Sequence, residues 1–583
     1  MASLCYVRIG PFPIFGTDAV EHFPGFSRRF KSRYLFCRER PYILTTEVTP
    51  NLTDLRSEHA AHPLWVYFWQ GALNVLFSLL CLRFLLASII ASGPDLPWVL
   101  ILIIGGLSMG VWNSRASLFA FVVFLPLLSG LNQTTILSGT SPLSMFFAAL
   151  WLSSPAARLN RTALMRSSSA RSHCRSITTI LSLLITAVLL SLSCQLWRIR
   201  FSADLFSFLL KDPSQSYGNP RYFLTASFIW LQGMYFFKIL DSLHPMQPNS
   251  CTCFQNIPIA IWSRPALMLY SVTMLLFFWI QYAYNIPEGW TGDWGGMNYR
   301  SPQAGFQSPF EDISSFGSVS ATLFIFSVVV WRPSEGWKLL AIVSICVCCF
   351  LFFLVASWSR GAWLAGILSL FLFSIVRLRR FAAASVVLCL VLGVVAVNRY
   401  ASRPSWLNSP YASRLIKLAR YENPLNKSPA RVYLFKKAAH MIAKHPLTGF
   451  GIGSFYLHSV SFASAGDPNA FTPDFAHNAF LQIAVEDGVP VAAMFVLLLA
   501  NIVFLAMRTS IRMNGPQPLG LLRGSIPFAL LFGVAAYIET QMTANSLNVY
   551  ASNQFFFWFL MAALFSLVKG EAILDSTRPP DQQ

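Results

Sequence analysis

Residues 177–197 read ITTILSLLITAVLLSLSCQLW, a run of 21 residues without a charged side chain. A second charge-free run covers residues 339–358. A bilayer core about 30 Å thick is crossed by about 20 residues of helix, so each run is long enough to span it. Because lipid offers the backbone no hydrogen-bond partner, such runs form helices rather than open strands. The pattern therefore predicts an all-α, polytopic membrane protein.

The composition of the whole chain agrees with this fold class. Of the 583 residues, 55% are hydrophobic and 11% are charged, whereas a soluble domain has about 25% charged residues. Apolar runs predict about 12 to 14 transmembrane helices, and the fourth run is short enough to be re-entrant. The runs lie near residues 65–91, 97–112, 116–131, 142–153, 177–197, 222–240, 258–284, 313–331, 337–357, 361–377, 381–398, 489–507, 521–540 and 549–568.

Arginine-rich short loops predict the orientation of these helices, because such loops stay cytoplasmic. They lie at residues 158–175, 377–380 and 508–512. With a basic N-terminal tail also inside, both termini are expected in the cytoplasm and one large loop outside. The chain is then divided into a cytoplasmic tail (1–63), transmembrane helices (64–398), a large periplasmic loop (399–488), C-terminal transmembrane helices (489–568) and a cytoplasmic tail (569–583).

The first part of the large loop is strongly basic. Residues 399–444 hold ten lysines and arginines and one acid, Glu422. The net charge of +19 would suggest nucleic acid in a soluble protein, but here it is carried by loops of a membrane protein and predicts no nucleic-acid partner. Two interpretations stay open: the loop holds anionic lipid headgroups, or it binds a diphosphate through arginine forks.

Within this loop, residues 429–444 have the pattern of an amphipathic helix lying along the membrane. One side of this helix is expected to be apolar and the other polar. The apolar residues are Val432, Phe435, Ala439, Met441 and Ile442, against Lys436, Lys437 and His440. The following stretch, HPLTGFGIG at residues 445–453, ends the helix and predicts a tight turn. Its glycines do not predict a nucleotide loop, because no strand precedes them.

Two further residues lie where spans meet the outer face. His477, in the pair His477-Asn478, precedes a span. A lone histidine is usually structural, but at the membrane edge its imidazole could take a proton from a sugar hydroxyl. Arg360 interrupts an apolar run within the sequence SWSRGAW (357–363). One interpretation is that the side chain of this arginine only extends to the membrane interface. The other is that it has a function, because a charge at the edge of a membrane is energetically costly. The predicted topology places Arg360, Arg431 and His477 on one side of the membrane.

These elements resemble the O-antigen ligase and polymerase superfamily. The resemblance is carried by Ser359-Arg360-Gly361, by an Arg-led helix from Arg431 through Ile442, and by Pro446-Leu447-Thr448-Gly449-Phe450-Gly451. It is completed by His477-Asn478, followed by Glu486-Asp487-Gly488-Val489-Pro490. The four elements match in order, spacing and sidedness. Upstream, the chain departs from the family's usual loop sequence, so no role is assigned there.

The resemblance implies a glycosyltransferase of a bacterial inner membrane that moves a polyprenyl-diphosphate-linked glycan to a glycan or lipid acceptor, with inversion. Arg360 and Arg431 would hold the diphosphate, His477 would be the general base, and Lys436 and Asn478 would bind substrate. It implies no metal and no cofactor, because arginines can supply the charge that magnesium otherwise provides. Membrane lipids and polysaccharide assembly proteins are the further expected partners.

Other functions stay open at this point. A polymerase that extends polysaccharide, or a ligase that glycosylates protein, would use the same chemistry with another acceptor. A flippase or transporter of lipid-linked glycan would need charges facing a cavity at mid-membrane, and Arg83 and Glu539 are the main candidates for such charges. A non-catalytic scaffold would leave Arg360 and His477 dispensable.

Overall fold

A computed structural model describes eleven ranges of the chain and scattered positions between 117 and 128. The ranges are residues 64–112, 141–154, 168–198, 222–242, 270–276, 313–330, 337–377 except 358, 429–463, 475–514, 526–549 except 545, and 551–577. The predicted tail 1–63 and the predicted span near 381–398 lie outside the described residues, as do most of the spans near 116–131 and 258–284.

Helices make up nearly all of the described chain, and within it no residue is in a strand. The helices before the large loop are α1 (Leu64–Ala91), α2 (Leu96–Trp112), α3 (Pro142–Ser153), α4 (Ser168–Arg198), α5 (Tyr222–Ser242), α6 (Ile313–Val330), α7 (Trp337–Ala356) and α8 (Arg360–Arg377). Those that follow are α9 (Pro429–Lys444), α10 (Phe455–His458), α11 (Ala479–Glu486), α12 (Val489–Asn514), α13 (Ile526–Gln541), α14 (Ser546–Val549) and α15 (Ala551–Thr577).

Five stretches within these helices are long and apolar enough to cross a membrane: Phe68–Ala91, Ser176–Trp197, Tyr222–Leu240, Val489–Arg512 and Ala551–Val568. Five shorter apolar helices accompany them in the described chain. The chain is therefore an all-α, multi-pass membrane protein, as predicted. The short fourth run is also confirmed as a helix, since α3 has 12 residues and is only about 18 Å long, too short to cross a bilayer.

Helix α5 is the centre of the helix bundle, because the whole of Tyr222–Leu240 is buried. Phe77 of α1 stacks on Tyr235 of α5 with ring centroids 3.9 Å apart, and Trp151 of α3 meets the same ring edge-on at 5.0 Å. Lys238 Nζ, also buried in α5, donates to Asn74 Oδ1 at 3.1 Å. This pairing gives a cation inside a membrane span a polar partner, which such cations require.

Candidate functional site

The predicted site residues of the large loop belong to a small folded unit, here called the loop subdomain (residues 429–463 and 475–488). It has its own apolar cluster, formed by Ala438, Met441, Phe455, Ala476 and Val485. The predicted helix at 429–444 is confirmed, since α9 has the same bounds. The cluster links α9 to Ala476, the residue directly before His477.

The predicted apolar side of α9 was right at Met441 and Ile442, which pack in the apolar cluster, and wrong at Phe435 and Ala439, which are exposed. Leu434, Lys437, Ala438 and Met441 are the buried residues, and Lys437 is only 1% exposed, whereas Phe435 lies on the solvent side. Leu434, Ala438 and Met441 are spaced by four and three residues, so they form one stripe along the helix. The sequence pattern placed Lys437 on the polar side because a lysine is rarely buried.

The residues after α9 form a tight turn, here called the glycine turn (residues 449–453). Gly449, Gly451 and Gly453 have φ angles of +63°, +105° and +73°, which L side chains rarely adopt. The turn lies against the end of α11: Phe450 N donates to Val485 O at 2.9 Å and Gly451 N to Glu486 O at 2.7 Å. A Cβ atom on Gly449 would overlap the carbonyl of Glu486. The glycine is therefore needed for close approach of two backbones.

Two side chains of α4 hold the glycine turn from the side of the helix bundle. Ile452 N donates to Ser191 Oγ at 3.3 Å, and Gln195 Nε2 donates to Ile452 O at 3.1 Å. The backbone N–H and C=O of the buried residue Ile452 are thus both satisfied by a membrane-spanning helix, as buried backbone groups require. The loop subdomain is consequently fixed to the end of α4.

Two neighbouring carboxyl groups are buried beneath the glycine turn. Glu486 Oε2 accepts from Gly453 N at 2.9 Å, and Glu486 Oε1 accepts from Phe455 N at 3.2 Å and from Gln482 Nε2 at 3.0 Å. The carboxyl of Asp487 lies beside Ser191. Burial raises the pKa of Glu486 to about 8, an effect that its backbone donors partly oppose, and burial raises the pKa of Asp487 to about 7. Desolvation dominates because the charged forms lose water.

The raised pKa values of Glu486 and Asp487 predict that the free energy of unfolding falls as the pH rises. Their pKa values in the folded protein lie above the unfolded values of about 4, so the folded state binds protons more tightly. The contribution of these two groups to the free energy of unfolding is expected to be largest below about pH 4 and to be lost as the pH rises through 7 to 8. Thermal unfolding in detergent at pH 6 and pH 9 measures this fall. Glu486→Gln, which cannot ionise, should reduce it, and an unchanged pH dependence would contradict the prediction.

His477 and Asn478 form the start of α11. His477 has a φ of +48° and is the one non-glycine residue with positive φ in the described ranges; such strain of about 1–3 kcal/mol is often found at functional sites. Asn478 is the N-cap, and its Oδ1 accepts from Phe480 N and Leu481 N at 3.0 Å each. Asn478 Nδ2 donates to Met542 O at 3.1 Å. The oxygen and the nitrogen of the Asn478 side-chain amide are therefore both hydrogen-bonded to protein backbone.

Arg360 is the first residue of α8, and its exposed side chain has no carboxylate partner in the described chain. Ser359 precedes it as the cap, with Ser359 Oγ accepting from Ala362 N at 3.4 Å. A Cβ atom on Gly361 would overlap Thr543 Oγ1. Thr543 belongs to the 541–544 turn, which also carries the Met542 carbonyl bound by Asn478. Adjacent residues of one turn therefore contact both the Arg360 element and the His477 element.

The remaining predicted residues are both exposed on α9 but do not lie together. Arg431 is in the first turn of α9, and Lys436 lies five residues later, about 140° around the helix. Lys436 Nζ is 5.4 Å from the ring centroid of Tyr433. The two side chains therefore point in different directions. Arg431 is the better placed of the two to bind an anion, because it lies beside the N-terminus of the helix, which attracts anions.

Sequence analysis missed the residues that hold these elements together, namely Ser191, Gln195, Met542 and Thr543. No local pattern marks them, because each acts on a residue far along the chain. A weak signal existed for Glu486 and Asp487, which were part of the motif but received no role.

Comparison with known families identifies the segment that carries these residues. Residues 345–496 match the family model described as O-antigen ligase, about a quarter of the 583 residues. The segment includes all five predicted site residues, from Arg360 to Asn478, so the resemblance drawn from the motifs is confirmed at the level of the superfamily. A search of curated proteins found no match to the chain.

Proposed function

Because residues 345–496 match the family model described as O-antigen ligase, we propose that this membrane protein transfers a polyprenyl-diphosphate-linked glycan to an acceptor hydroxyl. The reaction takes place at the periplasmic face of a bacterial inner membrane, with both chain termini in the cytoplasm. Residues 399–488 form the periplasmic loop in this proposal, and they contain the loop subdomain. The acceptor is a glycan or a lipid.

The observation that carries the proposal is the 541–544 turn. Thr543 lies against Gly361, beside Arg360, and the Met542 carbonyl is bound by Asn478, beside His477. The elements that carry Arg360 and His477 therefore contact the same turn at one end of the bundle. On the other side of His477, Ala476 packs in the apolar cluster with Ala438 of α9, the helix that carries Arg431.

The two arginines are suited to the diphosphate of the donor. Arg360 is the first residue of α8 and Arg431 is in the first turn of α9, and neither first turn contains an acidic residue. A helix N-terminus presents backbone N–H groups to an anion, and arginine adds a bidentate fork. Together they stabilise the negative charge that grows on the leaving diphosphate, without a metal ion or other cofactor.

His477 acts as the general base in this mechanism. Its imidazole removes the proton of the acceptor hydroxyl while the hydroxyl oxygen attacks the anomeric carbon. The bond from that carbon to the diphosphate oxygen breaks, the polyprenyl diphosphate leaves, and the anomeric configuration inverts. Asn478 contributes by capping α11, which fixes the backbone at His477, and Lys436 contributes a second cation to substrate binding.

Arg360→Gln tests the proposal. The variant is expected to lower the release of polyprenyl diphosphate by about a hundredfold, because preorganised charge is lost, and Arg360→Lys should recover only part of it, because lysine has no fork. The measurement uses protein in nanodiscs, supplied with donor glycan and acceptor, with and without EDTA. One-step products indicate a ligase, and a ladder of sizes indicates a polymerase.

Arg508→Gln is the matched control, because Arg508 is an exposed arginine of α12 roughly 28 Å along the helix from Val489. It should keep the wild-type rate. Equal rates in Arg360→Gln and this control would refute the role of Arg360, and inhibition by EDTA would refute the metal-free mechanism.

A further inference from the structure

Leu447 is held at the level where a membrane span begins. Val489 is the first residue of the span Val489–Arg512, and its backbone N donates to Pro446 O at 2.8 Å. A Cβ atom on the neighbouring Gly488 would overlap the carbonyl of Leu447. These backbone contacts leave the side chain of Leu447 free to point outward, and it is 73% exposed.

Leu447 lies between an exposed apolar residue and two exposed basic residues. Val489 is 45% exposed beside it, and two exposed residues precede it, namely Lys444 at the end of α9 and His445 directly after it. Residues 429–463 contain four lysines and arginines and three histidines but no aspartate or glutamate. An exposed apolar residue next to basic residues is typical of a segment that lies in the headgroup region of a bilayer.

We propose that Leu447, Lys444 and His445 form a binding surface for anionic phospholipid. Leu447 enters the boundary between headgroups and acyl chains, and the two basic side chains contact the lipid phosphate. A saccharide ligand fits less well, because it offers no apolar partner to a leucine beside the start of a span. The surface is separate from glycosyl transfer, and it fixes the height of the loop subdomain above the membrane.

Photocrosslinking tests this surface without any measurement of activity. Leu447 is replaced by the photoreactive residue p-benzoylphenylalanine in the full chain, which is placed in nanodiscs of phosphatidylcholine with a minor fraction of phosphatidylglycerol. Because the side chain of Leu447 is exposed, this replacement leaves the buried contacts intact. Replacement of Leu457, a 41% exposed leucine of the same subdomain, is the matched control, and thermal unfolding verifies that both proteins are folded.

We expect lipid adducts at position 447 and few at position 457, with phosphatidylglycerol enriched several-fold over its share of the bilayer. A basic group near an anionic surface strengthens binding by about fivefold, so Lys444→Gln with His445→Gln should remove the enrichment while adducts persist. Native mass spectrometry of the chain without the photoreactive residue should show the same loss of phosphatidylglycerol. Absent adducts at 447, equal adducts at 457, unchanged enrichment in the double variant, or capture of an added acidic oligosaccharide instead of lipid would each overturn the proposal.

Discussion

His477→Gly is expected to keep the fold of the loop subdomain and to lower turnover by about a hundred- to ten-thousandfold, the usual contribution of a general base. Glycine adopts the φ of +48° found at His477 without strain, whereas alanine at such a position costs about 1–2 kcal/mol. The glycine variant therefore separates the loss of the imidazole from damage to the backbone. Release of polyprenyl diphosphate in nanodiscs measures the effect.

Added imidazole provides a second readout for the same variant. The space left by the missing ring should admit free imidazole, and the rate of His477→Gly should rise with imidazole concentration while the wild-type rate does not. His477→Asn is a useful companion, because asparagine tolerates the left-handed conformation but is not a base. Wild-type rates in both variants would remove His477 from the mechanism, and a loss of rate that follows a loss of thermal stability would assign it a structural role.

The second large effect is expected on stability, from Gly488→Ala. Gly488 has a φ of +88°, and a Cβ atom there would overlap the carbonyl of Leu447. Backbone strain of about 1–3 kcal/mol and overpacking of a similar size add to about 2–6 kcal/mol. A change of this size should unfold the loop subdomain or separate it from α12. The temperature of unfolding in detergent, followed by limited proteolysis of the large loop, measures it.

Gly71→Ala is the matched control for that experiment. Gly71 lies within α1, and a Cβ atom on it would meet no atom within 4 Å. Alanine favours a helix over glycine by about 1 kcal/mol, so this variant should unfold at the wild-type temperature or above it. If Gly488→Ala unfolded at the same temperature as Gly71→Ala, the close approach of residues 447 and 488 would not contribute to stability.

The sequence predicted the described helices well because lipid leaves few alternatives to them. The charge-free run at 177–197 lies within α4, and the expected bounds of α9 agree with the structure to the residue. Both predictions depend on neighbouring residues and on the period of a single helix. Burial of individual residues was harder to predict. Lys437 was expected on a polar face and is 1% exposed, because its environment is set by the elements packed on α9.

The candidate site could be predicted only as separate motifs. Arg360 and His477 were proposed as a cation and a base from their own sequence contexts, and Arg431 as a second cation from the family resemblance. What connects them is distant along the chain: Asn478 and Met542 are 64 positions apart, and Ser191 and Ile452 are 261 apart. A hydrogen bond between a serine and a backbone amide at that separation leaves no trace in composition or periodicity. Ser191 and Met542 therefore appear as ordinary residues until the helices are packed.

The hydrogen bonds that join Ser191 and Gln195 to Ile452 limit which segments of this chain can be exchanged with those of a related protein. Residues 191 and 195 lie outside the segment 345–496 that matches the family, yet they bind its glycine turn through the backbone N–H and C=O of Ile452. A chimera that exchanged the matched segment alone would present a foreign turn to α4 and leave these partners mismatched. A functional chimera must therefore exchange more than the segment that matches the family. It must take α4 and the glycine turn from the same protein. A substitution in either of them restricts the substitutions that the other tolerates.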